Sequence, residues 1–378
     1  MLNRRTILKS GAVGLGAFAL PGLALAGSAN ADANKRFVFI LQRGAADGLA
    51  TLAPVTDPRW TTLRRDQGEA AMGGHKVDAN FRLHTAMTNV AALSDVGQAL
   101  FVPAVATPYR DRSHFDAQNV IETGGAKAYQ LKDGWLNRLV GLLGGRGLAL
   151  APTVPLALRG DVPVASFAPS NLPDASYDLM SRIGDLYAED AQLGPLWAEA
   201  KMAREMAGDA SAARNGAALG DLAARMLAGP DGAKVLMIES DGWDTHFAQP
   251  GRLNGQLGQI DALIGALQAG LGQEWSNTLV MIATEFGRTA ALNGTNGTDH
   301  GTGALAMLLG GGVKGGRVGG DWPGLSRLYQ DRDVLPTTGL DALASTAIGQ
   351  HFDLDPVRAG AILFPETAPL ALNGTLVG

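Results

Sequence analysis

Two titratable side chains stand next to each other in a glycine-flanked stretch near the end of the chain. In "NGTDHG", residues 296–301, Asp299 and His300 lie between glycines and a threonine. A carboxylate and an imidazole are ligands that zinc and other divalent metals bind. An isolated Asp-His pair in a surface loop is often functionless, so a metal site requires further ligands elsewhere in the chain.

Further side chains of these types follow apolar runs. Asp47 comes shortly after "RFVFIL", and Asp244 and His246 follow "KVLMIES" in the stretch "DGWDTH". Carboxylates crowded in one place repel unless a cation neutralises them. We therefore predict a metal site with five ligands, namely Asp47, Asp244, His246, Asp299 and His300. The alternative is that these carboxylates cap helices and balance arginines.

A serine at a predicted helix start is the candidate nucleophile. Ser113 stands in "RDRSHFD", where it could equally be a simple N-cap. Beside a metal its hydroxyl would lose its proton more readily, and Arg112 and Arg288 could hold a phosphate or sulfate group. The sequence leaves the roles of several other residues open: Asp241, Glu285, His84, His114 and His351.

The elements that must position these residues are short buried strands. The runs "RFVFIL", "ALFVPAVA", "KVLMIES", "TLVMIAT" and "ALAMLLGG" are continuously apolar, as in a parallel sheet covered on both faces. Ligands bind beyond the carboxyl ends of such strands. Predicted helices alternate with the strands, at residues 83–93, 114–123, 136–143, 179–206, 217–227, 252–271 and 339–348. Residues 151–178 are proline-rich and predict a β-excursion or a lid.

The amino terminus predicts export. "MLNRRTILKS" contains Arg4 and Arg5 and precedes a weakly apolar run with cleavage sites after Ala26 and Ala31. This is typical of a twin-arginine signal peptide over residues 1–31, followed by a single domain over residues 32–378. The apolar run is shorter than a membrane span, so we expect a bacterial periplasmic or secreted protein without a permanent membrane anchor.

Bulk composition excludes some classes of function. Charged residues make up 18% of the chain and the net charge is −5, so no basic surface for nucleic acid is expected. The chain has no cysteine, which excludes disulfides and thiolate metal sites.

With "LQRGAADGL", "RSHFDAQ", "DGWDTH", "EFGRT" and "GTDHGTGALAMLLGGGVKGG" in this order, the chain resembles the domain of unknown function 1501 family. This resemblance implies the alkaline-phosphatase-like and sulfatase superfamily and its α/β fold, a three-layer α/β/α sandwich with a mostly parallel central sheet. It also implies a first-metal role for Asp244 and His246 and a second-metal role for Asp299 and His300. Ser113 would lie close to the nucleophile position.

Two departures from the superfamily pattern matter. The first pair is usually spaced Asp-x-x-x-His, whereas here the candidates are Asp244 or Asp241 with His246. A sulfatase oxidises a cysteine or serine in a C/S-x-P-x-R context, and "ATPYR" has Ala106 at that position. A formylglycine sulfatase is therefore not expected.

The expected function is an exported metal-dependent hydrolase or transferase of a phosphate or sulfate ester, with a small-molecule or polymeric substrate. Ser113 is the nucleophile, or else the metal activates a water. Zinc is the preferred cofactor, with manganese, magnesium or calcium as alternatives. The competing hypothesis is a non-catalytic exported binding or scaffold protein on the same fold.

Overall fold

A mixed sheet covered by helices on both faces forms the centre of the molecule. The computed structural model describes residues 34–169, 176–207 and 215–378, so the predicted signal peptide at residues 1–31 lies outside the described residues. Within these ranges the main sheet has nine strands. Among the described helices, none is both long and apolar enough to cross a bilayer.

The strands are β1 Arg36–Gln42, β2 Leu52–Ala53, β3 His75–Lys76, β4 Arg82–Leu83, β5 Ala99–Ala106, β6 Gly147–Leu150, β7 Ala165–Phe167, β8 Val235–Ser240, β9 Thr278–Thr284, β10 Ala304–Leu309, β11 Arg317–Val318, β12 Leu328–Tyr329, β13 Asp333–Val334 and β14 Thr338–Gly339. The helices are α1 Gly48–Thr51, α2 Trp60–Ala70, α3 Thr88–Asp95, α4 His114–Thr123, α5 Trp135–Leu143, α6 Tyr177–Tyr187, α7 Leu193–Ala207, α8 Gly216–Leu227, α9 Gln249–Leu271, α10 Leu340–His351 and α11 Pro356–Leu363.

The apolar strands are buried on both faces, as predicted. In β1, Val38 and Ile40 pack into a core with α3, α8 and α9, while Phe37 and Phe39 pack into a second core with α5, α10 and α11. Alternate side chains of one strand thus enter opposite layers, because successive side chains of a strand point to opposite faces. The predicted three-layer α/β/α sandwich with a mostly parallel sheet is confirmed.

The strands of the main sheet lie in the order β11-β5-β10-β9-β1-β8-β6-β7, with β14 also paired to β5. Strand β10 runs antiparallel to both β5 and β9, whereas the other pairs of the main sheet are parallel. An apolar run buried on both faces does not reveal its direction. No helix crosses the sheet between β9 and β10, so the chain turns back at the carboxyl end of β9 and enters β10 in the opposite direction. The amino end of β10 therefore lies beside the carboxyl ends of β1, β5 and β9.

Several predicted boundaries are wrong. The helix predicted at residues 83–93 begins at Thr88, because residues 82–83 form a strand. The helix predicted at residues 179–206 is two helices, since Asp190 accepts from the backbone N of Gln192 and Leu193 and caps a new helix start. Within the proline-rich segment 151–178, β7 joins the main sheet beside β6, as the β-excursion hypothesis predicts, and residues 170–175 lie outside the described residues.

His351 lies at the wrong end of the sheet to join a metal site at the carboxyl ends of the strands. Its buried Nε2 donates to the carbonyl O of Arg36, the first residue of β1, at 2.9 Å. Burial lowers the pKa of His351 from 6.5 to about 4. The ring is therefore neutral in the folded protein at neutral pH.

This burial predicts a pH dependence of stability. An unfolded chain protonates His351 below about pH 6.5, whereas the folded chain does so only near pH 4, so the unfolding free energy falls as the pH drops between these values, by about 1.4 kcal/mol per unit. We expect His351→Gln, whose amide can still donate to Arg36, to lose this dependence. Urea unfolding with a chelator at pH 7 and pH 5 should show wild type losing about 2 kcal/mol more than the variant. Equal losses of unfolding free energy in wild type and variant would contradict the assignment of this pH dependence to His351.

Candidate metal centre

Three imidazole rings converge at the edge of the sheet where the parallel strands end. Nε2 of His300 lies 2.9 Å from Nε2 of His114 and 3.0 Å from Nε2 of His246. Oδ1 of Asp244 lies 3.0 Å from Nε2 of His246 and 3.3 Å from that of His300. It lies 3.6 Å from Nε2 of His114. We call these four side chains the metal cluster.

The opposite nitrogen of each ring faces an oxygen acceptor. The contacts of Nδ1 are His114 with Oε1 of Glu285 at 2.8 Å, His246 with Oδ1 of Asp299 at 3.0 Å, and His300 with the carbonyl O of Arg112 at 3.1 Å. Carboxylate and carbonyl oxygens only accept, so each Nδ1 carries the proton. The Nε2 lone pairs of His114 and His246 therefore both face that of His300.

Imidazole nitrogens arranged in this way require positive charge between them. Without a cation, Nε2 of His114 would have to donate a hydrogen bond to the single Nε2 lone pair of His300. Nε2 of His246 would then need a proton of its own, directed at Asp244. Since Nδ1 of both donors is already protonated, His114 and His246 would both be imidazolium ions. One divalent cation supplies the same two charges.

The spacing of the ligand atoms fits a metal ion. Four ligands about 2.0–2.1 Å from a tetrahedral zinc ion lie about 3.3–3.4 Å apart. Among His114, His300 and Asp244 these separations run from 2.9 to 3.6 Å, and Nε2 of His246 lies 3.0 Å from both His300 and Asp244. Acceptors on Nδ1 are also the usual second partners of metal-binding histidines, because they fix the tautomer and the ring orientation. The residues present therefore fit a divalent metal with imidazole and carboxylate ligands.

The surrounding charges and burial favour the metal-binding protonation states of Asp244 and His300, whereas they shift the pKa of His114 in the opposite direction. Burial raises the pKa of Asp244, but the charge of Arg288 and of the surrounding histidines outweighs it and lowers the pKa below its ordinary value. Burial and the neighbouring His114 lower the pKa of His300. The hydrogen bond to Glu285 raises the pKa of His114. Asp244 is thus ionised and His300 neutral at neutral pH.

Arg288 holds the carboxylate of the cluster in place. Its Nη2 donates to Oδ1 of Asp244 at 2.8 Å and to the carbonyl O of Trp243 at 3.2 Å. The side chain of Arg288 is fully buried, whereas that of Asp244 is 45% exposed. The predicted direct role of Arg288 in holding a phosphate or sulfate stays a prediction, since its buried guanidinium is paired with Asp244. In this structure it orients Asp244.

Glycines bring the loop of His300 into contact with its neighbours. A Cβ atom on Gly297 would lie 2.2 Å from the backbone C of His246, and one on Gly301 would lie 2.4 Å from that of Arg288. Any side chain at these positions would push the loop away. The glycine flanks of the Asp-His pair thus permit the close approach that brings His246 and His300 together.

A buried glutamine joins the two loops that carry most of the cluster. Oε1 of Gln249 accepts from Oγ1 of Thr245 at 2.9 Å and from Oγ1 of Thr298 at 2.7 Å. Thr245 stands between Asp244 and His246, and Thr298 precedes the Asp-His pair. Gln249, Thr245 and Thr298 are all fully buried. We call these three residues the glutamine clamp.

Asp47 anchors the clamp instead of joining the cluster. Its oxygens accept from the backbone N of Leu49 and Ala50, from both Nη atoms of Arg64, and from Nε2 of Gln249 at 2.7 Å. A carboxylate has about four acceptor positions, and these donors use them. The structure therefore places Asp47 in a buried ion pair, which differs from the predicted ligand role.

Asp299 contacts the ring of a ligand and not the centre of the cluster. Its Oδ1 faces Nδ1 of His246 and also accepts from Nδ2 of Asn293 at 3.1 Å. These hydrogen bonds lower the pKa of Asp299. Nε2 of His246 lies 3.0 Å from Nε2 of His300, so the two predicted ligand pairs lie side by side in the structure.

Ser113 immediately precedes His114 of the metal cluster and occupies the N-cap position of α4. Its side chain makes no capping hydrogen bond, and its backbone N donates to the phenol O of Tyr109 at 3.3 Å. Arg112, with a positive φ of 61°, directs its carbonyl O at His300, and its guanidinium is paired with the buried Asp333. A strained backbone at a functional site is a common arrangement.

Sequence reasoning left two important residues open. His114 follows β5 and Glu285 follows β9, so both stand at the same sheet edge as the predicted ligands, and that shared position is the signal that could have found them. Gln249 carries no such signal, because an uncharged side chain at a helix start has no chemistry that the sequence alone would single out.

Comparisons with known proteins agree with the family resemblance. Residues 94–356 match the family model described as "Protein of unknown function (DUF1501)". No curated protein sequence matches the chain.

Solved structures with low sequence identity resemble the chain only loosely. The C-terminal periplasmic domain of EcEptC from Escherichia coli, in complex with Zn, has a TM-score of 0.38 at 10% identity and covers 73% of this chain and 72% of its own. The phosphonate monoester hydrolase of Agrobacterium radiobacter has a TM-score of 0.37 at 12% identity, covering 75% and 70%. A protein in the alkaline phosphatase superfamily from Vibrio parahaemolyticus has a TM-score of 0.33 at 10% identity, covering 73% and 60%.

We predict that a substitution which disrupts the glutamine clamp lowers the affinity for metal. Gln249→Met removes the acceptor of two buried hydroxyls and a donor to Asp47, so the loops that carry the ligands lose their link. We expect zinc affinity to fall about 10- to 100-fold, as for other residues that orient ligands. A chelator-competition titration measures this affinity.

Gln259→Met is the matched control, because Gln259 lies on the same helix and accepts one hydrogen bond from Gly216. Its zinc affinity should stay within about twofold of wild type, whereas equal affinities in both variants would show that the clamp does not position the ligands.

Proposed function

We propose that this chain, which belongs to the DUF1501 family, hydrolyses or transfers a phosphate or sulfate ester at its metal cluster. The observation that carries the proposal is that Nε2 of His114, Nε2 of His300 and Oδ1 of Asp244 lie close enough together to bind one ion, with Nε2 of His246 3.0 Å from two of these atoms. His114, His246 and His300 with Asp244 would hold the metal. Zinc suits this set, since three imidazoles and a carboxylate without sulfur are common zinc ligands.

A divalent metal bound there would act as a Lewis acid that draws electron density from an ester oxygen and neutralises its charge. The cluster faces solvent, since the side chains of His246 and Asp244 are 39% and 45% exposed. An ester can therefore approach it directly. The buried groups behind it, Glu285 and Arg288, keep the ligands in position when the substrate enters.

Ser113 is the proposed nucleophile. Its hydroxyl is not used as a helix cap, and it stands at the amino end of the ten-residue helix α4, whose dipole stabilises nearby negative charge. Ser113 is also adjacent to His114, so a group held at the cluster lies near the start of α4. These observations favour the nucleophile over the capping role for this serine.

The reaction proceeds in two displacements. Oγ of Ser113 forms a bond to the phosphorus or sulfur atom, the bond from that atom to the alcohol oxygen breaks, and the serine proton leaves with the alcohol. Water then attacks the serine ester and restores the hydroxyl, releasing phosphate or sulfate. An acceptor alcohol in place of water makes the reaction a transfer.

Cations at the rim assist the binding of an anionic ester. Arg332 donates to the carbonyl O of His300 at 2.7 Å, and its side chain is 43% exposed, so it can also face a substrate. Arg112 is 18% exposed and paired with Asp333. In this proposal Arg112 positions His300 through its carbonyl and adds positive charge, while Arg288 orients Asp244.

We also propose that the protein is exported. The paired Arg4 and Arg5 and the weakly apolar run behind them support transport across the inner membrane by the twin-arginine route. The substrate is accordingly a small-molecule or polymeric ester outside the cytoplasm. The non-catalytic alternative predicts a protein that purifies without metal.

Metal content tests the cluster. We expect natively exported protein to hold about one divalent ion per chain, and His114→Ala and His300→Ala to lose it, because each removes one of the converging nitrogens. Elemental analysis of dialysed protein measures the content. His75→Ala, which changes a histidine paired with Asp95 away from the cluster, should keep the metal. Metal-free wild type would rule the proposal out.

Ser113→Ala tests the nucleophile separately from the metal. We expect turnover of a phosphate or sulfate monoester to fall roughly 10²-fold or more with the metal content unchanged, because the attacking atom is gone while the ligands remain. Ser176→Ala is the matched control, since Ser176 caps α6 with a hydrogen bond to the backbone N of Leu179. Full activity in Ser113→Ala would favour direct attack by water.

A further inference from the structure

A cleft lies next to the buried groups that support the metal cluster. Residues of α2, β2, β4 and the first turns of α9 line it, and its volume is about 280 Å³. Binding sites for small molecules begin at roughly 300 Å³, so the cleft has room for a compact ligand. Among its described lining residues, none belongs to the metal cluster.

Two of the lining side chains connect the cleft to the loops of the cluster. Arg64 pairs with Asp47, which accepts from Nε2 of Gln249 in the glutamine clamp. Nε2 of Gln67 donates to the carbonyl O of Asn296, in the loop that leads to the Asp-His pair, at 3.3 Å. A molecule in the cleft would therefore contact the support of these loops and not the metal ligands.

The walls of the cleft are mostly apolar. The indole Nε1 of Trp60 donates to the carbonyl O of Gly68 at 3.1 Å, and the guanidinium carbon of Arg64 lies 5.7 Å from the centre of the indole ring. These contacts hold the ring in place. The other apolar lining residues include Ala50, Ala53, Leu83, Pro250 and Leu253. The ligand of such a cleft has an apolar body.

One polar atom of the lining has no partner. Nη1 of Arg82 donates to the carbonyl O of Gly74 at 3.2 Å, whereas its buried Nε has no hydrogen bond. A buried donor that loses its water without gaining an acceptor destabilises the protein, so such atoms are rare. Because Arg82 lines the cleft, an acceptor on a bound ligand can satisfy it.

Positive charge also collects around Arg82. Its partner in the antiparallel register of β3 and β4 is Lys76, and like charges directly opposite each other repel. Within the described ranges, neither cation forms an ion pair with a carboxylate. One carboxylate, the exposed Asp66, lines the cleft as well, so the cleft suits a single negative charge better than a double one.

His84 adds a neutral donor to the lining of the cleft. The backbone N of Ala86 donates to its Nδ1 at 3.1 Å, and burial lowers its pKa. The ring is therefore neutral at neutral pH, and since Nδ1 accepts, the proton is on Nε2. Both Nε of Arg82 and Nε2 of His84 are thus donors, which a carboxylate can accept from and a cation cannot.

We propose that this cleft is a second ligand site, which binds a small monocarboxylate with a compact apolar body. The carboxylate accepts from Arg82, where a charge-assisted hydrogen bond replaces the missing partner of Nε. The apolar part packs against Trp60 and Leu253. This site is separate from the metal cluster and does not depend on the ester chemistry proposed above.

Titration calorimetry of the zinc-loaded wild type with three probes tests the ligand class. Benzoate has both a ring and a charge, benzyl alcohol has the ring without the charge, and acetate has the charge with only a methyl group. We expect benzoate to bind about tenfold or more tightly than either of the others, because each of them lacks one of the two contacts.

Two variants locate the binding. Arg82→Met keeps an unbranched apolar side chain but removes the guanidinium, so it should weaken benzoate about tenfold or more and leave benzyl alcohol within about twofold. Ala70→Phe places a ring into the cleft from the exposed last residue of α2, so it should weaken benzoate and benzyl alcohol together.

Arg317→Met is the matched control, since Arg317 is also a strand arginine whose guanidinium donates to backbone carbonyls, but it lies on β11. It should bind benzoate as wild type does. Benzoate binding that survives both cleft variants, or that disappears when a chelator removes the zinc, would place benzoate elsewhere and overturn the cleft site. Failure of wild type to bind benzoate would also overturn it, without bearing on ester hydrolysis at the metal cluster.

Discussion

Imidazole nitrogens with unshared pairs cannot remain about 3 Å apart unless positive charge lies between them. Nε2 of His300 is within 3.0 Å of the same atom in both His114 and His246, and Glu285 and Asp299 fix the protons of those two rings on the outer side. The surrounding structure depends on this constraint, because it must hold mutually repelling groups close together before a cation arrives. The energy for this comes from buried hydrogen bonds behind the cluster.

The glutamine clamp and the ion pair beneath it provide this support. Gln249 fastens the loop of Thr245 to that of Thr298, and Asp47 with Arg64 holds Gln249 from below. All of these groups are buried, so their hydrogen bonds are strong and costly to break. A site supported in this way is preorganised, and metal binding does not have to order the loops.

Much of the fold could be predicted from the sequence, because strands such as β1 and β9 are apolar on both faces and therefore need helices on both sides. The placing of Asp244, His246 and His300 together follows from their types and from their positions at the strand ends. Side-chain partners could not be predicted in this way. Whether Asp47 faces a metal or Arg64 depends on the path of α2, which pattern alone does not determine.

X-ray absorption at the edge of the bound metal tests the central claim most directly, because the scattering pattern of imidazole rings gives the number of histidine ligands. For natively exported protein we predict three imidazole nitrogens and at least one oxygen, with metal–nitrogen distances of about 2.0–2.1 Å if the metal is zinc. A spectrum with oxygen ligands alone, or with a single imidazole, would contradict the convergence of His114, His246 and His300 on one ion.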